Sequence, residues 1–259
     1  MTTATLPALF ISHGAPTLAL EGGAVGAALQ RVAHNLPRPT AIVVMSAHWE
    51  SHEIEVSSGH RPETWHDFRG FPAPLYHIRY PALGSPELAE QVIELLAVGG
   101  LTAHPNALRP RDHGVWVPLL HLYPEADIPV IQISIPIHFK PSQLHYLGEL
   151  LAPLRHEQML LIGSGSITHN LAELSWQASD DQPPTWASQF RNWVVQRLAH
   201  DERDQLFDWQ QHAPFAQRNH PTDEHLQPLF FAAGAGQRFS LVHSSFMLGA
   251  LGMDIYRFD

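Results

Sequence analysis

Four histidines stand where an imidazole could meet a ligand. His48 follows the β-branched, apolar run of AIVVMSAHWE, His13 follows LPALFI, and His169 follows MLLI within the small-residue stretch GSGSITHN. His225 closes NHPTDEH, just ahead of the apolar run from Leu226 to Ala235. Imidazole titrates nearest neutral pH and is the commonest metal ligand. The chain has no cysteine, so thiolate zinc sites, iron–sulfur clusters and disulfides are excluded, and any metal must be held by His, Asp or Glu. Ligands scattered this widely converge only if the fold gathers them, whereas an HExxH motif needs only one helix. With 19 histidines in 259 residues, a histidine site is easy to build and any single histidine counts for little. Ser164 and Ser166 near His169 lack the G-x-S-x-G elbow of a serine hydrolase, and GSGSITHN lacks the lysine of a phosphate loop. His34, His52, His77, His145, His156, His200 and His212 lie in helical or charged contexts and read as solvated surface.

The elements that must position these groups read as an α/β chain. The runs before His13, His48 and His169 are buried strands by composition, and ligands of open α/β sheets bind beyond the carboxyl ends of strands. Three strand ends thus point imidazoles into one crevice, beside small residues (Gly14, Ala15, Ala47, Gly163, Gly165) that leave room for a ligand. Leu18 to Leu36 is helical until Pro37 and Pro39, so the second strand is expected parallel to the first and near it in a right-handed crossover. Glu53 to Val56 is a short strand, and the irregular stretch from there to Pro86 is long enough to be functional. Ser85 and Pro86 open a helix that stops at Gly99 and Gly100. An edge strand at Leu101 to His104, a helix after Asp112, His113 and Gly114, a strand at Val130 to Ile135 and a helix at Pro141 to Leu154 follow. After the strand Met159 to Ile162 come a helix at Thr185 to Leu198, and one starting at Pro221 and Thr222 that carries His225 in its first turn. A strand at Ser240 to His243 precedes the GALGMDIYRF tail.

Composition bounds the class. Hydrophobic residues at 44% against 15% charged fit a globular enzyme, and the length fits one domain over residues 1–259. A net charge of -10 argues against nucleic acid, whose binding draws on Lys and Arg. No run of about 18 apolar residues suggests a membrane span, and MTTATLPALF lacks the basic start of a signal peptide, so the reading is a soluble, cytoplasmic protein.

The stretches FISHGAPTLAL, AIVVMSAHWE, WHDFRGFPAPLYHIRYPALGSPELA, RDHGVWVPLLHLYPEADIPVIQISI, GSGSITHNL and PTDEHLQPLFFAAGA, in this order, resemble the class III extradiol ring-cleavage dioxygenases, in their DOPA 4,5-dioxygenase-like branch. The resemblance implies a single α/β domain with a mixed, largely parallel central sheet flanked by helices and a metal site at the carboxyl ends of the strands. It implies ring opening beside the vicinal hydroxyls of a small catechol, with both atoms of O₂ inserted, at a mononuclear non-haem centre. His13, His48 and His225 are the implied metal ligands. Glu224 is the alternative to His225, since neighbouring helical residues point about 100° apart and only one can face the ion. His169 is implied as the proton-handling base, or as a fourth ligand if the ion is Zn(II). His113 is a second polar group toward substrate or oxygen, and Trp49, Phe68, Phe71 and Trp116 are candidate substrate-pocket walls. Fe(II) is the expected working ion, while Zn(II), which binds such sites more tightly, can occupy the purified protein. Competing readings are a zinc hydrolase on the same histidines and a non-catalytic binding module; the sequence sets no oligomeric state.

Overall fold

Along the chain of the computed structural model the elements are β1 (Ala8–Ser12), α1 (Gly23–His34), β2 (Ala41–Ser51), β3 (Ile54–Ser57), α2 (Pro86–Val98), β4 (Ala103–Asn106), α3 (His113–Leu122), β5 (Val130–Pro136), α4 (Pro141–Leu151) and β6 (Met159–Gly165). There follow α5 (Thr185–Ala199), α6 (Arg203–Phe207), α7 (Trp209–His212), α8 (Ala216–Asn219), α9 (Gln227–Ala235), β7 (Phe239–His243), β8 (Phe246–Met247), β9 (Leu251–Gly252) and β10 (Ile255–Phe258). The structure describes residues 5–178 and 182–259; Met1 to Ala4, which open the stretch read for a signal peptide, lie outside it.

The unbroken apolar runs become the middle of an eight-stranded sheet of order β4-β3-β5-β2-β6-β1-β10-β7. Within it β5, β2, β6 and β1 run parallel. Strands covered on both faces read as continuous hydrophobic runs, which is why these were visible in the sequence. Alternate side chains feed two cores: Val43, Met45, Ile131 and Leu161 pack on the face with α2, α4 and α9, while Ile42, Val44, Ile11 and Ile162 pack on the face with α1 and α3. Antiparallel pairings of β3 with β5, β10 with β1 and β7 with β10 extend the sheet and make it mixed, in a single α/β domain. No helix among the described residues is long and apolar enough to cross a membrane.

Several expectations change. The first two strands are parallel but do not pair, because β6 lies between them. His48 sits inside β2, where the register shifts between Met45 and Glu50, rather than beyond its end. The tail supplies β10, which hydrogen-bonds directly to β1. Leu18 to Leu36 divides into a 3-10 turn at Pro16–Ala19 and α1. The helix expected to run to Leu154 stops at Leu151 and continues as 3-10 turns. Helix α9 starts at Gln227, with Pro228 in its first turn where no amide hydrogen is needed, so His225 precedes the helix. His145, read as solvated, is buried on α4.

Candidate metal centre

His13 leaves β1 with its backbone N–H donating to Gly165 O at 3.0 Å, which fixes the start of its side chain against β6. Its Nδ1 lies 3.0 Å from Ser164 Oγ. Pro118, inside α3, has no N–H to give to the carbonyl four residues back, so Gly114 O is left free and accepts the Ser164 hydroxyl instead. With its proton committed there, Ser164 accepts from His13 Nδ1–H, and the Nε2 lone pair of His13 faces the crevice.

His48 is held through its backbone and its ring. Its N–H donates to Ser46 Oγ at 3.3 Å and its carbonyl accepts from the Arg109 guanidinium at 2.9 Å. Both partners converge on the buried Asp112 carboxylate, Ser46 at 2.7 Å and Arg109 at 2.7 Å, with Gln132 adding a third bond at 2.8 Å. The ring's Nδ1 approaches Asp67 Oδ2 at 3.6 Å and its Nε2 lies 3.0 Å from His13 Nε2.

His225 reaches the same point from the chain leading into α9. Its carbonyl accepts from Ser166 N–H at 2.8 Å, and its Nδ1–H donates to Glu224 Oε1 at 2.8 Å. Glu224 therefore stands behind His225 as its carboxylate partner in this structure. The Nε2 of His225 is buried and has no hydrogen-bond partner among the described residues. The ring centroids of His13, His48 and His225 are 4.9, 5.4 and 5.0 Å apart, nearly an equilateral triangle.

Two further imidazoles flank the triangle. His169 has its backbone N–H on Asn219 O at 2.9 Å, and its ring is stacked on that of His225 at 3.4 Å and 7°. His113, the first residue of α3, lies 4.0 Å from the His48 ring and gives both its backbone N–H and its Nδ1–H to Asp67 Oδ1, each at 2.9 Å. Donor atoms of His13, His48 and His113, and separately of His169, Glu224 and His225, lie within 4.8 Å of one another.

Burial sets the electrostatics. It holds the His13 and His225 imidazoles well below their ordinary value, and the surrounding imidazoles lower them further. Burial and His113 lower His48 to about 4 against the upward pull of Asp112 and Asp67. For His169, burial again dominates, Glu224 opposes it, and the result is about 4. All four are neutral at pH 7, the state in which imidazole binds a metal. The arrangement fits a divalent ion on two counts. The lone pair of His225 Nε2 is buried and meets no hydrogen-bond donor among the described residues, a costly condition for a polar atom. Two neutral imidazole nitrogens 3.0 Å apart are also close enough to share an ion at ordinary metal–nitrogen distances of about 2.0–2.1 Å.

The expected walls divide. Phe68 stands edge-on to His113 at 5.7 Å and contacts Phe71 at 5.3 Å, so this pair borders the imidazole cluster. Trp116 is fully buried, its indole N–H bound to Trp65 O, and Trp49 lies under the Arg109 guanidinium at 4.8 Å. Gly163 and Gly165 do not make room for a ligand. A Cβ on Gly163 would stand 2.0 Å from Pro228 O and one on Gly165 2.1 Å from His225 O, so these glycines admit the chain that delivers His225. Sequence reasoning missed Asp67, Ser164 and Arg109 as supports of the site. Only their type marked them, since none lies at a motif spacing from the histidine it holds.

Residues 7–258 match the family model described as the catalytic LigB subunit of aromatic ring-opening dioxygenase. Among curated relatives, the 4,5-DOPA dioxygenase extradiol of Escherichia coli (strain K12) is 41% identical over 239 residues, 91% of this chain and 87% of that protein. The 4,5-DOPA dioxygenase extradiol of Beta vulgaris is 39% identical over 256 residues, covering 96% and 95%. A crystal structure of an uncharacterized protein from Escherichia coli K12 superposes with a TM-score of 0.84 at 32% identity, over 98% of this chain and 100% of that one.

Proposed function

The chain belongs to the family of the catalytic LigB subunit of aromatic ring-opening dioxygenases, oxidoreductases of the extradiol class, and from that premise we propose that it opens the ring of a DOPA-like catechol with iron(II) held by His13, His48 and His225. The buried Nε2 of His225, without a hydrogen-bond partner among the described residues, on a ring 5.0–5.4 Å from the rings of the close Nε2 pair His13 and His48, is the observation that carries this reading. A divalent ion held by these three residues would supply a positive charge to anchor an anionic catechol and, as iron(II), a redox-active centre through which O₂ and the catechol could react.

The chain's own residues do the rest. Three neutral imidazoles add no negative charge, so an anionic catechol is not repelled by its holders. His169, neutral above about pH 4, is free to take a proton from a catechol hydroxyl. Its stacking on His225 supports the base role over that of a fourth ligand, because the in-plane lone pairs of parallel rings run side by side and do not converge on one point. His113 presents Nε2 toward the crevice, since Asp67 takes its Nδ1–H, and Phe68 and Phe71 offer an apolar edge to an aromatic ring.

The test is anaerobic loading of metal-free protein with Fe(II) or Zn(II), followed by air and a catechol panel that includes DOPA. Yellow ring-opened product with O₂ uptake is expected from the iron form alone. His13→Ala and His48→Ala are expected to lose metal; full metal content in His13→Ala would overturn the ligand assignment.

A further inference from the structure

Asp67 lies in the irregular stretch between β3 and α2, far in sequence from every histidine it touches. Its side chain is 7% exposed. Oδ1 accepts two hydrogen bonds from His113, one from the backbone N–H and one from Nδ1–H, each at 2.9 Å, and Oδ2 lies 3.6 Å from His48 Nδ1. The residue in place to cap α3, Asp112, makes no side-chain capping bond there, because its oxygens serve Ser46, Arg109 and Gln132. Asp67 thus supplies the missing cap from another part of the chain. A carboxylate has only acceptors, so His113 carries its proton on Nδ1 and turns its Nε2 lone pair inward, and the negative Oδ2 at 3.6 Å from His48 Nδ1 favours the same tautomer there through charge. Partners of this kind fix the tautomer and orientation of a ligating histidine.

We propose that Asp67 is a positioning residue of the ring-opening site, one carboxylate that sets the tautomer and aim of both His48 and His113. The inference rests on the reading of His48 as a metal ligand. It makes the long connection between β3 and α2 part of the site's support, and it ties the aim of a ligand to the aim of a group facing substrate.

Asp67→Asn tests it with the fold kept, because the amide oxygen can still accept the His113 backbone N–H. The amide NH₂ then faces His48 Nδ1 as a donor, which favours the Nε2–H tautomer and sets a proton where the ion must bind. Long-range ¹H–¹⁵N spectra of the metal-free variant are expected to show His48 changed in tautomer. Titration with Co(II) is expected to show affinity about 10- to 100-fold weaker with an altered visible band. Loss in kcat is expected to exceed any change in KM, and Asp67→Glu, which restores an acceptor, is expected to recover part of it. A purely structural cap predicts otherwise: wild-type tautomers, Co(II) affinity and spectrum in Asp67→Asn would overturn the proposal. His48→Ala run alongside separates the two readings, since unchanged Co(II) binding there removes His48 as a ligand whatever Asp67 does.

Discussion

An imidazole can offer a lone pair from one nitrogen only when its proton is settled on the other, and at this site Ser164, Glu224 and Asp67 share that custody. Ser164 takes that of His13 because Pro118 leaves the Gly114 carbonyl open to the serine hydroxyl, so a helix-breaking residue on α3 decides a tautomer on β1. Glu224 takes that of His225 at 2.8 Å, and Asp67 serves His113. His169 differs, since its place is set by a backbone bond to Asn219 and by its stack on His225, with no carboxylate among the described residues holding a ring nitrogen by a hydrogen bond. Under the proposed assignment, that difference is what separates a holder of metal from a mover of protons. His169→Ala is therefore expected to keep metal affinity within a few-fold while kcat falls by about 10²–10⁴, the usual worth of a positioned acid or base. Equal losses of metal and turnover in that variant would place His169 among the ligands.

Strand β6 does two things that its sequence hides. Its apolar half, Met159 to Ile162, pairs with β1 and β2 as any buried parallel strand would. Its small-residue half, Gly163 to Gly165, lets the chain entering α9 lie directly on the sheet, with Ser166 N–H bonded to His225 O. GSGS was legible as a small-residue turn, but small residues admit a ligand or a backbone equally well, and only the fold decides which. Gly165→Ala and Gly163→Ala each force a Cβ against a rigid carbonyl, His225 O in one case and Pro228 O in the other, and each is expected to cost about 1–3 kcal/mol of stability in urea unfolding. Metal affinity is expected to separate them: Gly165→Ala displaces a proposed ligand's own backbone, so it should weaken Fe(II) or Zn(II) binding the more of the two. Wild-type affinity in Gly165→Ala would show that His225 does not depend on this contact. The same ambiguity hid the neighbour order of the strands. Adjacency in sequence favoured β1 beside β2, yet β6, which arrives more than 100 residues later, lies between them.

For the molecule as a whole, what could be read from sequence was what repeats or runs: the buried parallel strands, the Ser85 cap of α2, which the structure shows accepting from Leu88 N–H, and the family-wide order of motifs. Single residues that act from irregular chain, such as Asp67 and Arg109, have no period and were not legible. Neither was the gathering of so many histidines into one buried place, whose consequence reaches beyond catalysis. Burial lowers His48, His169 and His220 to about 4 and His13 and His225 well below their ordinary value. In the unfolded chain each titrates near 6.5, so between about pH 6.5 and 4 the unfolded state binds more protons than the native one, and stability must fall as pH falls. Above pH 6.5 the contribution is fully present. At pH 5 each of the imidazoles at about 4 costs about 2 kcal/mol relative to neutral pH, and several together approach the about 5–15 kcal/mol that holds a typical domain folded. A metal ion that binds only the native state opposes this, by about 4 kcal/mol at a thousand times its Kd. The urea midpoint of metal-free protein is accordingly expected to drop steeply from pH 7.5 to 5, and that of metal-loaded protein to hold until the ligands themselves take protons. A midpoint that stays level over this range without metal would mean that the histidine cluster is hydrated, and that neither its low basicity nor the need for an ion to relieve it is as the geometry requires.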